Sequence, residues 1–161
     1  MRGSLLTLLL ILTVTDILPA QTKSTSTQVA WVHFGVFSNG IRVKYRITSA
    51  ALERYWLDTT GVKIDSSVQQ LSAAQWQQNR FILDSIPSLL LTAGTTTYSW
   101  GCLYCGEQPV VIMDIGFADN RPGFSYQIDA DTSRIPAGIR SYVINVRKAV
   151  AQLITEGRKK Q

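Results

Sequence analysis

Residues 29–47 read VAWVHFGVFSNGIRVKYRI, and this stretch decides the fold. Its first part, Val29 to Phe37, is rich in Val, Trp and Phe, residues that suit a pleated, half-buried surface. Ser38-Asn39-Gly40 follows, and Asn-Gly between two apolar runs is the strongest short-range signal for a β-hairpin. Beyond it the pattern alternates strictly. Ile41, Val43, Tyr45 and Ile47 fall on one side of a strand, and Arg42, Lys44 and Arg46 on the other. One side is therefore expected to meet a core and the other to face solvent, which is the signature of an antiparallel sheet covered on one face.

The segments downstream extend that sheet and supply its cover. Residues 48–70 fit either a short helix or a strand, with Ala50 to Asp58 leaning to a third strand that ends by Gly61. Ser72 with Gln75 three residues later forms a capping box, and Ala73, Ala74 and the Gln-rich run continue as helix. Trp76, Leu83, Ile86 and Leu90 fall near one side of it, and Pro87 ends or kinks it by removing a backbone donor. Thr92 to Ser99 reads as a loop. Val110 to Phe117 is a nearly continuous apolar strand, suited to the middle of a sheet. Asp119 to Gly123 is dense in turn residues, and Phe124 to Asp129 alternates again, giving a second hairpin. Pro136 suits the first turn of a last helix, in which Ile139, Val143, Val146, Val150 and Leu153 recur at spacings of 4, 3, 4 and 3, with Gly157 as its end. The expected architecture is α+β: an antiparallel sheet in the order β-β-(β)-α-β-β-α, with two helices packed on one face.

The N-terminal segment has a different character. Arg2 precedes an apolar run from Leu5 to Val14, and Leu18-Pro19-Ala20 offers a small residue at a cleavage position. This is the layout of a secretory signal peptide over residues 1–20, too short for a spanning helix, which needs about 20 apolar residues. A polar lead at 21–27, a single domain at 28–157 and a basic tail at 158–161 complete the organisation. The reading places the chain in the periplasm or outside the cell, with no transmembrane span after cleavage. The whole chain has 161 residues and a formal net charge of +5. Removal of residues 1–20 leaves about 140, enough for one domain to bury roughly two-thirds of its unfolded surface.

Both cysteines lie in Trp100-Gly101-Cys102-Leu103-Tyr104-Cys105-Gly106. In an oxidising compartment Cys102 and Cys105 are expected to pair. A structural disulfide is the leading reading. A redox-active pair needs a helix starting at the motif to stabilise a thiolate, and here Gly106-Glu107-Gln108-Pro109 intervenes before a strand. Structural zinc takes four ligands, and only His33 is left to join two thiolates. Trp100, Leu103 and Tyr104 around the pair form a candidate contact loop. Arg42, Lys44 and Arg46 form a candidate face for an acidic glycan or a lipid headgroup, against the plainer reading of a solvated outer face. His33 reads as a strand histidine: no G-x-S-x-G elbow accompanies it. Asp129-Ala130-Asp131 opens like a calcium loop, but Arg134 and Arg140 stand where Gly and Glu are required. Asp114 and Asp129 are placed to approach across the second hairpin, without an acid/base partner that would make them a hydrolase site. No metal, cofactor or catalytic residue is assigned, and no nucleic-acid motif is present.

Cys102, Cys105, Val110 to Ile115, Phe124 to Asp129 and Ile135-Pro136, with Leu71-Ser72 and Ile86-Pro87 ahead of them, resemble a pattern in small, uncharacterised exported bacterial proteins. In these a paired-Cys turn precedes a strand, a turn, a strand and a C-terminal helix. The resemblance covers about the last 90 residues and implies an α+β fold, with no catalytic residues; Glu107-Gln108-Pro109 departs from the Asp and glycines that follow the Cys pair in the pattern. The functional expectation is a non-enzymatic interaction module for an envelope protein, a glycan or a lipid headgroup, with a sheet face or the Cys loop as contact. Two alternatives stand beside it: a thiol–disulfide exchange protein using the Cys pair, and an inhibitor of an envelope enzyme.

Overall fold

The structure is a computed structural model that describes residues 29–38, 41–56, 68–92, 97–102 and 109–158. The expected signal peptide, polar lead and Asn39-Gly40 turn lie outside the described residues, as do Leu103, Tyr104, Cys105 and 159–161 of the tail.

The first hairpin forms as its alternation dictates. β1 (Val29–Ser38) and β2 (Ile41–Thr48) pair antiparallel in a register that sets Ser38 opposite Ile41 and Val32 opposite Ile47. The described parts of the ambiguous stretch carry strands: β3 (Leu52–Trp56) pairs with β2, and the two-residue β4 (Gln69–Gln70) with β3, while residues 57–67 lie outside the described residues. β6 (Val110–Phe117) lies against β1 and β7 (Phe124–Asp129) against β6, all antiparallel. β5 (Thr97–Trp100) closes the far edge, giving seven strands in the order β4-β3-β2-β1-β6-β7-β5.

β5 corrects the expected antiparallel sheet. It pairs with β7 in parallel, Thr97 opposite Ser125 and Trp100 opposite Ile128, so the sheet is mixed, although most of its pairings are antiparallel. The segment read as loop carries a strand at its end. Tyr98 and Trp100 turn half-buried while Thr97 and Ser99 stay exposed, a two-residue period too short to recognise in a threonine-rich stretch.

Side chains on the apolar side line up in rows across the strands. Tyr45, Phe34, Met113 and Tyr126 stand successively opposite one another, as do Val43, Val36, Val111 and Ile128. One hydrophobic cluster joins these rows to Ile82, Leu90 and the helical stripe Ile139, Val143, Val146, Val150 and Leu153. That stripe belongs to α3 (Ala137–Arg158). Gly157 lies inside its last turn and does not end it; a Cβ there would meet the Arg54 guanidinium, so the missing side chain makes room for an arginine.

The other helical segment is broken in two. α1 (Ala73–Asn79) starts with the expected capping box, Gln75 N–H donating to Ser72 Oγ at 3.3 Å and Ser72 N–H to Gln75 Oε1 at 3.0 Å. Arg80 separates it from α2 (Phe81–Asp84), which stops at Ser85 ahead of Pro87. Side-chain bonds tie these pieces down: Tyr142 donates to the Ile82 carbonyl at 2.6 Å, Trp76 Nε1 to Thr48 O at 3.0 Å, and Gln75 Nε2 to Glu156 at 2.7 Å. Among the described residues no helix is long and apolar enough to cross a membrane.

Candidate functional site

The side of the sheet away from the apolar rows is polar and aromatic. Register alone builds its central row, because Glu53, Arg46, His33, Asp114 and Ser125 stand successively opposite one another across β3, β2, β1, β6 and β7. The neighbouring row runs through Tyr55, Lys44, Gly35 and Ile112.

Asp114 is the hub. Its Oδ2 accepts a hydrogen bond from Lys44 Nζ at 2.5 Å, and its Oδ1 one from Ser125 Oγ at 2.5 Å. His33 Nδ1 stands 3.7 Å from Oδ2. Lys44 belongs to β2 and Asp114 to β6, so the ammonium crosses over β1 to reach its partner. The residue of β1 opposite Lys44 is Gly35, which has no side chain to stand in that lane. Burial works against the charge on Asp114, but the bonds from His33, Lys44 and Ser125 outweigh it and hold the carboxyl below the usual carboxylate range.

A second cluster adjoins the first. Tyr55 donates its hydroxyl to Glu53 at 2.7 Å, and Arg46 Nη1 lies 3.9 Å from the same carboxylate. Burial first, then the bond to Glu53, raises the Tyr55 hydroxyl above its ordinary value. The His33 ring sits 4.5 Å from that of Trp31 and 5.9 Å from that of Tyr55, and the Arg46 guanidinium lies 5.8 Å from the Trp31 ring centre. Trp31 in turn lies flat over Gly116, where any Cβ would collide with the indole. Two glycines therefore shape the face: a Cβ at Gly35 would meet the Val43 carbonyl oxygen at 2.6 Å, and the bare Gly116 makes room for the Trp31 indole.

This wiring has a chemical consequence. Nucleophilic catalysis by serine needs the hydroxyl to give its proton to a histidine that a carboxylate orients. Here the Ser125 hydroxyl donates its hydrogen bond directly to Asp114, and His33 approaches the same carboxylate from the other side. The carboxylate lies between hydroxyl and imidazole, so the arrangement is a rigid polar anchor and not a proton relay.

The residues expected from sequence are distributed as follows. Lys44 and Arg46 lie on this face, each engaged by a carboxylate of another strand; the Arg42 side chain lies outside the described residues. Trp100 turns toward the sheet, its ring 5.2 Å from Tyr126 and 6.0 Å from Tyr98. Leu103, Tyr104 and Cys105, and with them the expected pairing of Cys102, lie outside the described residues. Cys102 itself is held by its backbone, donating its N–H to Asp129 Oδ2 at 2.9 Å after Gly101, which takes a positive φ of 87°.

Asp129, named in the sequence for its spacing to Asp131 and its approach to Asp114, has a role the sequence did not reveal. It is 1% exposed, and its other oxygen accepts from Asp131 N at 2.8 Å. The calcium-like spacing serves local structure: Asp129 holds the base of the Cys loop, while Asp131 accepts from Ser133 N–H and Oγ at the start of a short 3-10 turn. Asp129 stands opposite Val110, four residues along β6 from Asp114, roughly 13 Å away at strand rise, so the two carboxylates do not share a site. Among the described residues no group of three or more His, Cys, Asp or Glu is gathered as a metal site.

In comparisons with known proteins, no family model, no curated sequence and no solved structure matches this chain.

Proposed function

We propose that this protein is an exported, non-enzymatic interaction module that binds a partner protein through the polar-aromatic face of its sheet. The observation that carries this is the patch of Trp31, His33, Arg46 and Tyr55, held in mutual contact by rings, a cation and a shared carboxylate. Binding energy at protein interfaces concentrates in Trp, Tyr and Arg. A patch ordered before contact loses little side-chain entropy on binding. In this reading the two helical units cover the apolar face, which leaves the patch as the sheet's outer surface. Export rests on the signal-peptide pattern of residues 1–20.

The sequence favours this over thiol–disulfide exchange, because Gly106-Glu107-Gln108-Pro109 and a strand follow the Cys pair where exchange needs a helix N-terminus to stabilise a thiolate. The electrostatics favour it over anion capture by the β2 cations, whose Lys44 and Arg46 already meet Asp114 and Glu53.

The test is photo-crosslinking in the native exported fraction, with the reactive group at Gln127 on this face or at Gln152 on α3. A crosslinked partner is expected from Gln127 alone, and Trp31→Ala is expected to abolish it while the far-UV spectrum stays unchanged. Crosslinking that persists in Trp31→Ala, or that arises equally from Gln152, would overturn the assignment.

A further inference from the structure

A separate concavity lies at the opposite end of the sheet from Trp31. It forms where Val36, near the end of β1, and Pro109, just ahead of β6, meet the C-terminal half of α3, and it encloses about 540 Å³. That volume is in the range of small-molecule sites. On α3 it is lined by Ile144, Ala151 and Ile154, a stripe beside the core stripe. Ile144 is 36% exposed, one of the few large apolar side chains the described fold leaves in solvent. A sheet-packing helix has no structural need of a second apolar stripe.

Among the described residues the charged groups in the lining are of one sign. Arg147, Lys148 and Arg158 contribute to it, and no carboxylate of the described residues does. Arg147 and Arg158 are eleven residues apart, about three turns, so they project from the same side of the helix with roughly 16 Å between them. Arg147 Nη1 donates to the Ala130 carbonyl at 2.7 Å, which fixes that side chain. Among the described residues Lys148 and Arg158 form no ion pair. An apolar trough bordered by cations complements a molecule with one apolar chain and one anionic end. A peptide helix fits poorly: at 10–12 Å across, two turns of it need roughly 800 Å³ or more.

We infer that this groove binds a long-chain fatty carboxylate, its alkyl chain against Val36, Pro109, Ile144 and Ile154 and its carboxylate held by the cations of α3. The site is independent of the interaction face proposed above, which lies on other residues, so either assignment can fail without the other.

The experiment is calorimetric titration of the protein, exported under its own N-terminal segment, with dodecanoate, decanoate and dodecanol below their micellar concentrations. Dodecanoate is expected to bind, with decanoate about tenfold weaker for the loss of two methylenes. Dodecanol is expected to bind at least tenfold more weakly than dodecanoate. Ala151→Trp, at an exposed helical position lining the groove, is expected to fill it and abolish binding with the far-UV spectrum unchanged. Lys148→Glu with Arg158→Glu is expected to weaken dodecanoate about tenfold and leave dodecanol unaltered. Equal affinity for dodecanol and dodecanoate would overturn the inference, as would undiminished binding by Ala151→Trp or no binding by the wild type. Tighter binding of a lysophospholipid of the same chain length would replace the free carboxylate with a phosphate headgroup and overturn the stated ligand. A wild-type dimer that Ala151→Trp converts to monomer would assign the groove to a second copy of the chain instead.

Discussion

Replacing Asp114 by Asn preserves the shape of the hub and removes its charge. Lys44 Nζ and Ser125 Oγ then each donate to a neutral amide oxygen or to water. Hydrogen bonds to charged groups contribute about 1.5–3 kcal/mol and neutral ones about 0.5–1.5 kcal/mol, so two such exchanges cost about 2 kcal/mol before solvent is counted. The Lys44 and Asp114 side chains are 24% and 26% exposed, and water recovers part of the loss. The expected destabilisation at pH 7 is about 1–2 kcal/mol, measured by urea denaturation. Its pH dependence identifies the cause. The folded-state pKa of Asp114 is depressed, so its contribution is complete above the ordinary carboxylate range and is lost as pH falls through that range toward the folded value. Below about pH 4 the wild type loses about 1.4 kcal/mol per pH unit from this group, a slope Asp114→Asn lacks. The gap between the two proteins is therefore expected to narrow from pH 5 to pH 3. A gap of the same size at both ends would refute the account, since it would mean that Asp114 acts by shape and not by charge.

Asp129→Ala leaves the amides of Cys102 and Asp131 without their buried acceptor and is expected to cost about 2–3 kcal/mol. Faster hydrogen exchange at those two amides is its signature, and a stability change below about 0.5 kcal/mol would show that Asp129 does not hold the loop. Gly138→Ala is expected to stabilise by about 0.5–1 kcal/mol, because the site is exposed in the first turn of α3 and nothing lies within 4 Å of an added Cβ. A lowered thermal midpoint would count against that reading.

The elements that were legible in the chain are those whose signal is local. The alternation through Val43, Tyr45 and Ile47, the apolar run from Val110 to Phe117 and the stripe from Ile139 to Leu153 each place residues in the core, and all of those expected to be buried in α3 are. Ser72 and Gln75 cap a helix because three residues suffice to close both bonds. The failures have an equally local origin. β5 is four residues long and its partner is β7, so nothing within Thr97 to Trp100 reveals the parallel pairing. Gly157 looked like a helix end because glycine commonly occupies that position; its neighbour Arg54 comes from a strand about a hundred residues earlier.

Composition and periodicity by themselves determined an α+β domain, two hairpins, a C-terminal helix with one apolar stripe, and a β2 whose outward side is cationic. They follow from each residue's own preference for water or for a pleated or helical backbone, which needs no knowledge of distant partners. Only the tertiary structure decided that Lys44 and Arg46 are met by Asp114 and Glu53, that Gly116 makes room for Trp31, that Asp129 grips the base of the Cys loop, and that α3 carries a second apolar stripe into a cation-lined groove. The reason is the order of the strands. Placing β1 between β2 and β6 selects one set of non-local pairings among many that satisfy the same local patterns, and that choice gathers residues 33, 46, 53, 114 and 125 into one row.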